Sequence, residues 1–265
     1  DAVARSLHGE AFHEAADKVR EHLGMFRDAM GMLGVDCDIR VLSGKPNDVL
    51  ERLSGSGTYD IIVTTRHGER ATGLLVGSTS LHLARTCKVP LLVVHGAVSD
   101  EPPLERTTVA IRDVVTTTDF SDASTAGIHA LVPLLRTLDA NLHIVHVVTS
   151  PGAVVDLHAP TVHVPVIPES AREAVGAAQT RLEVLADELD HTRVTTQVVC
   201  AEVAADGIVA AAIERRAEII AVPSHGKGLI TSILLGSTSR RVLTLSPIPV
   251  LVMRRDSVGG RAWTT

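Results

Sequence analysis

The residues best suited to holding a charged ligand lie in one run near the end of the chain. His225-Gly226 is followed, after nine residues, by Gly236-Ser237 and then Thr238 and Ser239. An apolar stretch, Ile219–Val222, leads into the run as a strand. Gly236-Ser237 opens a helix, and residues 248–253 read as a final buried strand. Glycines at a strand-to-helix crossing let backbone N–H groups approach a ligand closely. A helix amino terminus adds unsatisfied donors and partial positive charge, and the combination suits phosphate. Lys227 is placed to reach such a phosphate, but no GxxxxGK[ST] loop is present, which excludes a P-loop enzyme. His225 and its counterpart His67 are the tempting acid–base groups. No Ser/His/Asp or Cys/His constellation can be argued around them, so structure or phosphate contact is favoured over catalysis. His158 and His163 have no companion ligand spacing that selects a metal, and no metal site is expected.

The same run occurs earlier, in residues 61–94. His67-Gly68 matches His225-Gly226 at an offset of 158, and Gly77-Ser78-Thr79-Ser80 matches Gly236-Ser237-Thr238-Ser239 at an offset of 159. Residues 89–94 match 248–253 at the second offset, so the chain is an internal duplication with one residue fewer between the turns of the first copy.

The elements that must position these residues follow from pattern. Residues 8–33 carry Phe12, Ala16, Val19, Leu23, Phe26 and Met30 at spacings of four and three, one face of a helix, with Gly34 as its cap. Val35–Leu42 reads as a strand, Pro46 opens a short helix, Tyr59–Thr65 is a buried strand, and a helix over 78–86 leads to the strand Pro90–Val94. Residues 97–106, polar and carrying Pro102-Pro103, read as a linker between a first domain over 1–96 and a second over 107–256, with a tail at 257–265. The second domain opens with a strand at 108–115, and Ser121 or Asp122 caps a helix running to Leu138 that Pro133 should kink. Strands at 141–148 and 194–200 and helices at 169–189 and 205–215 complete it. Alternating strands and helices at this spacing imply a parallel sheet with helices on both faces.

Composition agrees. The 265 residues are 45% hydrophobic but only 2% aromatic, so the cores must be built from Val, Leu, Ile and Ala, which suits buried parallel strands between Ala-rich helices. A net charge of −6 argues against a nucleic-acid surface. Cys37, Cys87 and Cys200 form no CxxC and fit a reducing compartment. No apolar run is long enough to span a bilayer and no signal peptide opens the chain, so a cytoplasmic protein is expected.

Three features together resemble the universal stress protein (UspA-type) family: V-T-T-T-D-F-S-D-A-S at 115–124, the H-G to G-S turn at 225–237, and I-P-V-L-V at 248–252. The resemblance covers almost the whole chain, as one full domain and one without its front. It implies two tandem α/β open-sandwich domains, each a five-strand parallel sheet in the order 3-2-1-4-5. The first copy lacks its opening β-α-β, since the equivalents of 108–148 fall before residue 1. It also implies binding of ATP or a related adenine nucleotide, in the second domain only, and no enzymatic role beyond weak ATP hydrolysis. Homodimers, or pairing of the two domains of one chain, would form through Pro90–Val94 and Pro249–Met253. Carried over by position, Asp119 with Thr118 would meet the adenosine and Val147 the base. Gly226, Gly236 and Ser237 match the G-x2-G-x9-G-S/T pattern, with His225, Thr238 and Ser239 beside them. Its first glycine falls on Pro223, which has no N–H and cannot reach positive φ. That departure keeps a second reading open, a scaffold of the same fold that binds no nucleotide. A regulatory part of a larger transporter or kinase is a third.

Overall fold

The computed structural model describes residues 2–65, 76–94, 110–157, 167–190, 193–223 and 235–253. The turns at His67-Gly68 and His225-Gly226, together with Lys227, His158, His163, the linker 97–106 and the tail 257–265, lie outside the described residues. Contacts divide the chain into two units, Asp1–Lys45 with Ala97–Ala110 and Pro46–Gly96 with Ile111–Thr265.

The first unit is dominated by α1 (Ala2–Met32). Gly34 ends it at φ +78°, with Val35 N–H on the Met30 carbonyl at 2.9 Å and Gly34 N–H on Gly31 at 3.0 Å, the paired closure that only a residue tolerant of positive φ completes easily. Val35–Leu42, expected as a strand, forms none. Its counterpart at an offset of 159, β5 (Val194–Ala201), pairs along its whole length with β4 (Asn141–Thr149). Among the described residues the first copy has no equivalent of β4. A strand is a non-local object, and pattern alone cannot supply the neighbour that satisfies its N–H and C=O groups. The stripe on α1 shows the same thing. Val19 is 46% and Leu23 37% exposed, whereas Ala178 and Leu182, their counterparts on α5 (Arg172–Asp187), are buried.

In the second unit α2 (Pro46–Ser54), β1 (Ile62–Thr65), α3 (Ser78–Thr86) and β2 (Leu91–Val94) come from the first copy. The second copy adds β3 (Asp113–Thr117), α4 (Asp122–Leu138), β4, a 3-10 turn at Glu169–Ala171, α5, β5, α6 (Ala204–Glu214), β6 (Ile219–Pro223), α7 (Ser237–Leu245) and β7 (Val250–Met253). All seven strands form one sheet in the order β1-β2-β7-β6-β3-β4-β5. Read from β5 to β7, the second copy has the order 3-2-1-4-5. The two copies do not build separate sheets. Their last strands meet antiparallel, Leu91 opposite Val252 and Val93 opposite Val250, and every other pairing is parallel. Pro90 and Pro249 flank this joint, and their carbonyls accept from Ile62 and Ile220 at 3.0 and 2.9 Å, one contact repeated in both copies.

Strand alternation sorts the core into two layers. Val115, Ile220, Val222, Val250 and Val252 face α3, α6 and α7. Val114, Leu142, Ile144, Ile219 and Leu251 face α4 and α5. On α6, Ala210, Ala211 and Ala212 are fully buried, so small side chains rather than aromatics bring helix and sheet together. Pro133 does not break α4, and the hydroxyl of Thr137 donates to its carbonyl at 3.1 Å.

Candidate functional site

The chain leaves β3 for β4 and β5 on one flank and returns through α6 to β6 on the other. Strand order therefore reverses at β3, and the place where doubly wound sheets accept ligands, the crevice outside the carboxyl ends of the strands at such a reversal, corresponds here to the ends of β3 and β6. The Thr118-Asp119 loop follows β3, Val147 is near the end of β4, and α7 follows β6. The hydroxyl of buried Ser239, in the first turn of α7, donates to the Pro223 carbonyl at 2.7 Å and holds that turn against the end of β6.

The candidate residues after β3 and on β4 have definite settings, while His225 and Gly226 lie outside the described residues. Thr118 is buried; its amide donates to Val145 at 3.1 Å, its hydroxyl accepts from the Phe120 amide at 2.9 Å, and it bonds Ser124 Oγ at 3.0 Å. Asp119 is half-buried, and its Oδ1 accepts from the amide and hydroxyl of Ser121 at 3.0 and 2.6 Å, an Asx turn. Ser121 in turn accepts from the Ser124 amide at 3.2 Å and is the cap of α4. Val147 turns its side chain toward α6, where a Cβ on Gly207 would lie 3.2 Å from Val147 Cγ1 and 2.9 Å from Ala201 Cβ. That position has to be glycine for helix and sheet to meet.

Gly236 starts α7 in extended backbone, φ −58° and ψ 150°, so positive φ is not why glycine stands there. Among the described residues a Cβ there would meet only Ser239 Oγ, at 3.8 Å. Among the described residues no side chain caps this start, and no acidic residue occupies the first turn. The positive end of α7, with the backbone amides around Ser237 and Thr238, therefore lies at the end of β6. Gly77 starts α3 with nearly the same angles, φ −60° and ψ 149°, and is likewise uncapped. Further along α7, Arg241 is held by both oxygens of Asp206 at 3.0 and 3.1 Å, and this partner raises its pKa.

Sequence reasoning missed three residues beside the site. Phe120 adopts φ +59°, a conformation that costs a side-chain-bearing residue about 1–2 kcal/mol. Its ring lies 4.5 Å from that of His146 and 4.0 Å beneath the Arg181 guanidinium. His146 Nδ1 is 2.8 Å from the Thr118 carbonyl. The one available signal was an aromatic residue in a turn of a chain with only three phenylalanines. At the opposite end of β3, Asp113 accepts from Asn141 at 2.9 Å and sits 2.8 Å from Nε2 of buried His143, whose Nδ1 is 2.6 Å from Thr195 Oγ1. The Asn141 bond foremost, then His143, holds the Asp113 carboxyl below its ordinary range. Among the described residues no cluster of three His, Cys, Asp or Glu side chains could hold a metal, and no helix is long and apolar enough to cross a membrane.

A duplicated, doubly wound α/β sheet whose strand order reverses at β3 defines the class of protein. The model of the universal stress protein family matches residues 2–95 and 110–254, and the chain belongs to that family. Universal stress proteins of Mycobacterium tuberculosis and Mycobacterium bovis are 29% identical over 218 residues, 80% of this chain and 66% of theirs. The chain thus spans 66% of the length of these curated relatives. A crystal structure of a universal stress protein from Archaeoglobus fulgidus matches with a TM-score of 0.64 at 21% identity, covering 93% of this chain and 82% of that one. A protein of unknown function from Pseudomonas aeruginosa matches with a TM-score of 0.56 at 13% identity, covering 95% and 79%. At these identities the likeness concerns the fold.

Proposed function

We propose that the second copy binds an adenine nucleotide, ATP or a close relative, across the crevice beyond β3 and β6. Asp119, with Thr118 behind it, and the backbone at Val147 receive the adenosine. The uncapped turn at Gly236, Ser237 and Thr238 receives the phosphates, with His225 and Gly226 on the loop before it. The observation that supports this reading is the Ser239–Pro223 hydrogen bond, which fastens the start of α7 to the end of β6, the strand paired with β3. The protein acts as a cytoplasmic stress-response sensor that binds nucleotide without turning it over at any appreciable rate. The first copy has no described counterpart of Asp119 and is assigned no ligand. The two copies are read as the domains 1–96 and 107–256, joined through β2 and β7, and the same kind of strand edge would serve dimers.

The experiment is a thermal-shift titration with ATP, ADP, AMP and cyclic nucleotides, together with identification of any ligand carried through purification. A shift of several degrees that Asp119→Ala abolishes is expected. No shift and no carried ligand would overturn the reading. A second reading, a scaffold of the same fold that binds no nucleotide, is favoured by Pro223 at the first glycine of the turn.

A further inference from the structure

We propose that His146, Phe120 and Arg181 form a stacked column whose role is to position the Asp119 wall of the crevice. The inference rests on the nucleotide reading for its purpose, but its geometry stands without it. Successive residues of β4 point to opposite faces of the sheet. Val147 faces α6, while His146 faces the loop that follows β3. A carbonyl can only accept, so the His146 nitrogen facing the Thr118 oxygen, Nδ1, carries the proton and donates. With the Thr118 amide already on Val145, β4 clamps the peptide unit on each side of Thr118.

The next link is Phe120. Its left-handed backbone is unfavourable for a bulky residue and persists only where its surroundings impose it. Three contacts do so. Its amide donates to Thr118 Oγ1 at 2.9 Å, its ring packs on His146, and the Arg181 guanidinium lies over that ring. Asp119 sits between the two clamped residues, so the backbone from which its carboxylate reaches Ser121 is held by Thr118 on one side and Phe120 on the other. Arg181 belongs to α5, and the column ties that helix to the ligand loop. His146, Phe120 and Arg181 are positioning residues that act through Asp119.

The test compares His146→Phe, which keeps an aromatic ring and deletes the donor, with His146→Asn, which offers an amide donor in place of the ring. Arg181→Gln, on the exposed end of the column, is a third variant that leaves the core untouched. Amide hydrogen exchange is followed without nucleotide, and ATP binding is measured by calorimetry. In His146→Phe the Ser121 amide is expected to lose about tenfold of its protection, and ATP to bind about tenfold more weakly, the fold-change of one hydrogen bond. Amides elsewhere in β4 should keep their protection, and His146→Asn should recover part of both effects. Unchanged exchange over residues 120–124 in His146→Phe and Arg181→Gln would overturn the inference whether or not nucleotide binds. Altered exchange with unaltered ATP affinity would also overturn it, because the loop's position would then not matter to the ligand. A wild-type protein that binds no nucleotide would sink the functional reading alone, and the exchange arm would still decide the column.

Discussion

The hydroxyl of Ser239 donates to the carbonyl of Pro223 at 2.7 Å, and Ser80 makes the same bond to Thr65 at 2.9 Å in the first copy. Both serines are buried, and both fasten the first turn of a helix to the end of a strand. A hydroxyl preserved in both copies, one of which has no described acidic wall, is a structural tie before it is a ligand donor. Ser239→Ala and Ser80→Ala should each lower the unfolding free energy by about 1 kcal/mol, the net worth of a neutral hydrogen bond. Urea unfolding checks this. If Ser239→Ala left stability intact and only weakened ATP binding, the hydroxyl would be a direct ligand group instead.

Gly207 bears on both packing and site. Alanine in a helix normally gains up to about 1 kcal/mol over glycine. Here the added Cβ would meet Ala201 Cβ at 2.9 Å and both methyls of Val147 at 3.2 and 3.3 Å. Overpacking of this kind costs roughly 1–3 kcal/mol, so Gly207→Ala should destabilise on balance. Because Val147 is among the atoms displaced, ATP affinity should fall too. A rise in melting temperature would show that α6 can shift outward freely.

What was legible beforehand was local. The helices at 78–86 and 237–245 begin where the repeated Gly-Ser pairs place them, because a helix start is decided by a few adjacent residues. Alternation of strands and helices implied a parallel sheet in the second copy, and the resemblance alone implied its strand order. What was not legible depends on partners distant in the chain. Val35–Leu42 has a strand's pattern and no strand's neighbour. His146 and Phe120 are 26 positions apart, and nothing in either neighbourhood announces that their rings meet. The resemblance makes Asp119 a ligand group, whereas the structure shows its carboxylate building the turn through Ser121.

Asp113 gives a pH dependence whose sign is fixed. The amide of Asn141, then the hydrogen bond with His143, lowers its pKa from the ordinary 3.8. A carboxyl with a depressed folded pKa adds stability that is full above its unfolded pKa and is lost as pH falls through the folded one. Asp113→Asn should therefore be less stable than the wild type at neutral pH, and the two melting curves should converge as pH drops below 3.8. Thermal melts at a series of pH values check it. A gap of constant size at every pH would mean that the charge of Asp113 contributes nothing.

Pro223 decides between the two functional readings. It is the last residue of β6, opposite Met253. The Ile220 amide donates to Pro249, on the side of β7, so by alternation any amide at 223 would point to the side of β3. The β3–β6 ladder ends at Thr116 opposite Ala221, so that amide would lie past the ladder, level with Thr118. Proline thus removes a donor that would face the crevice at no cost to the sheet. Pro223→Gly should restore it and tighten ATP binding about fivefold, within the worth of one hydrogen bond. Greater freedom of the unfolded chain should lower stability by roughly 0.5–1 kcal/mol. Calorimetric titration of both proteins separates the possibilities. Binding by both, tighter with glycine, places the backbone at 223 in the site. Binding by the glycine variant alone makes the native protein a scaffold whose nucleotide site proline has closed.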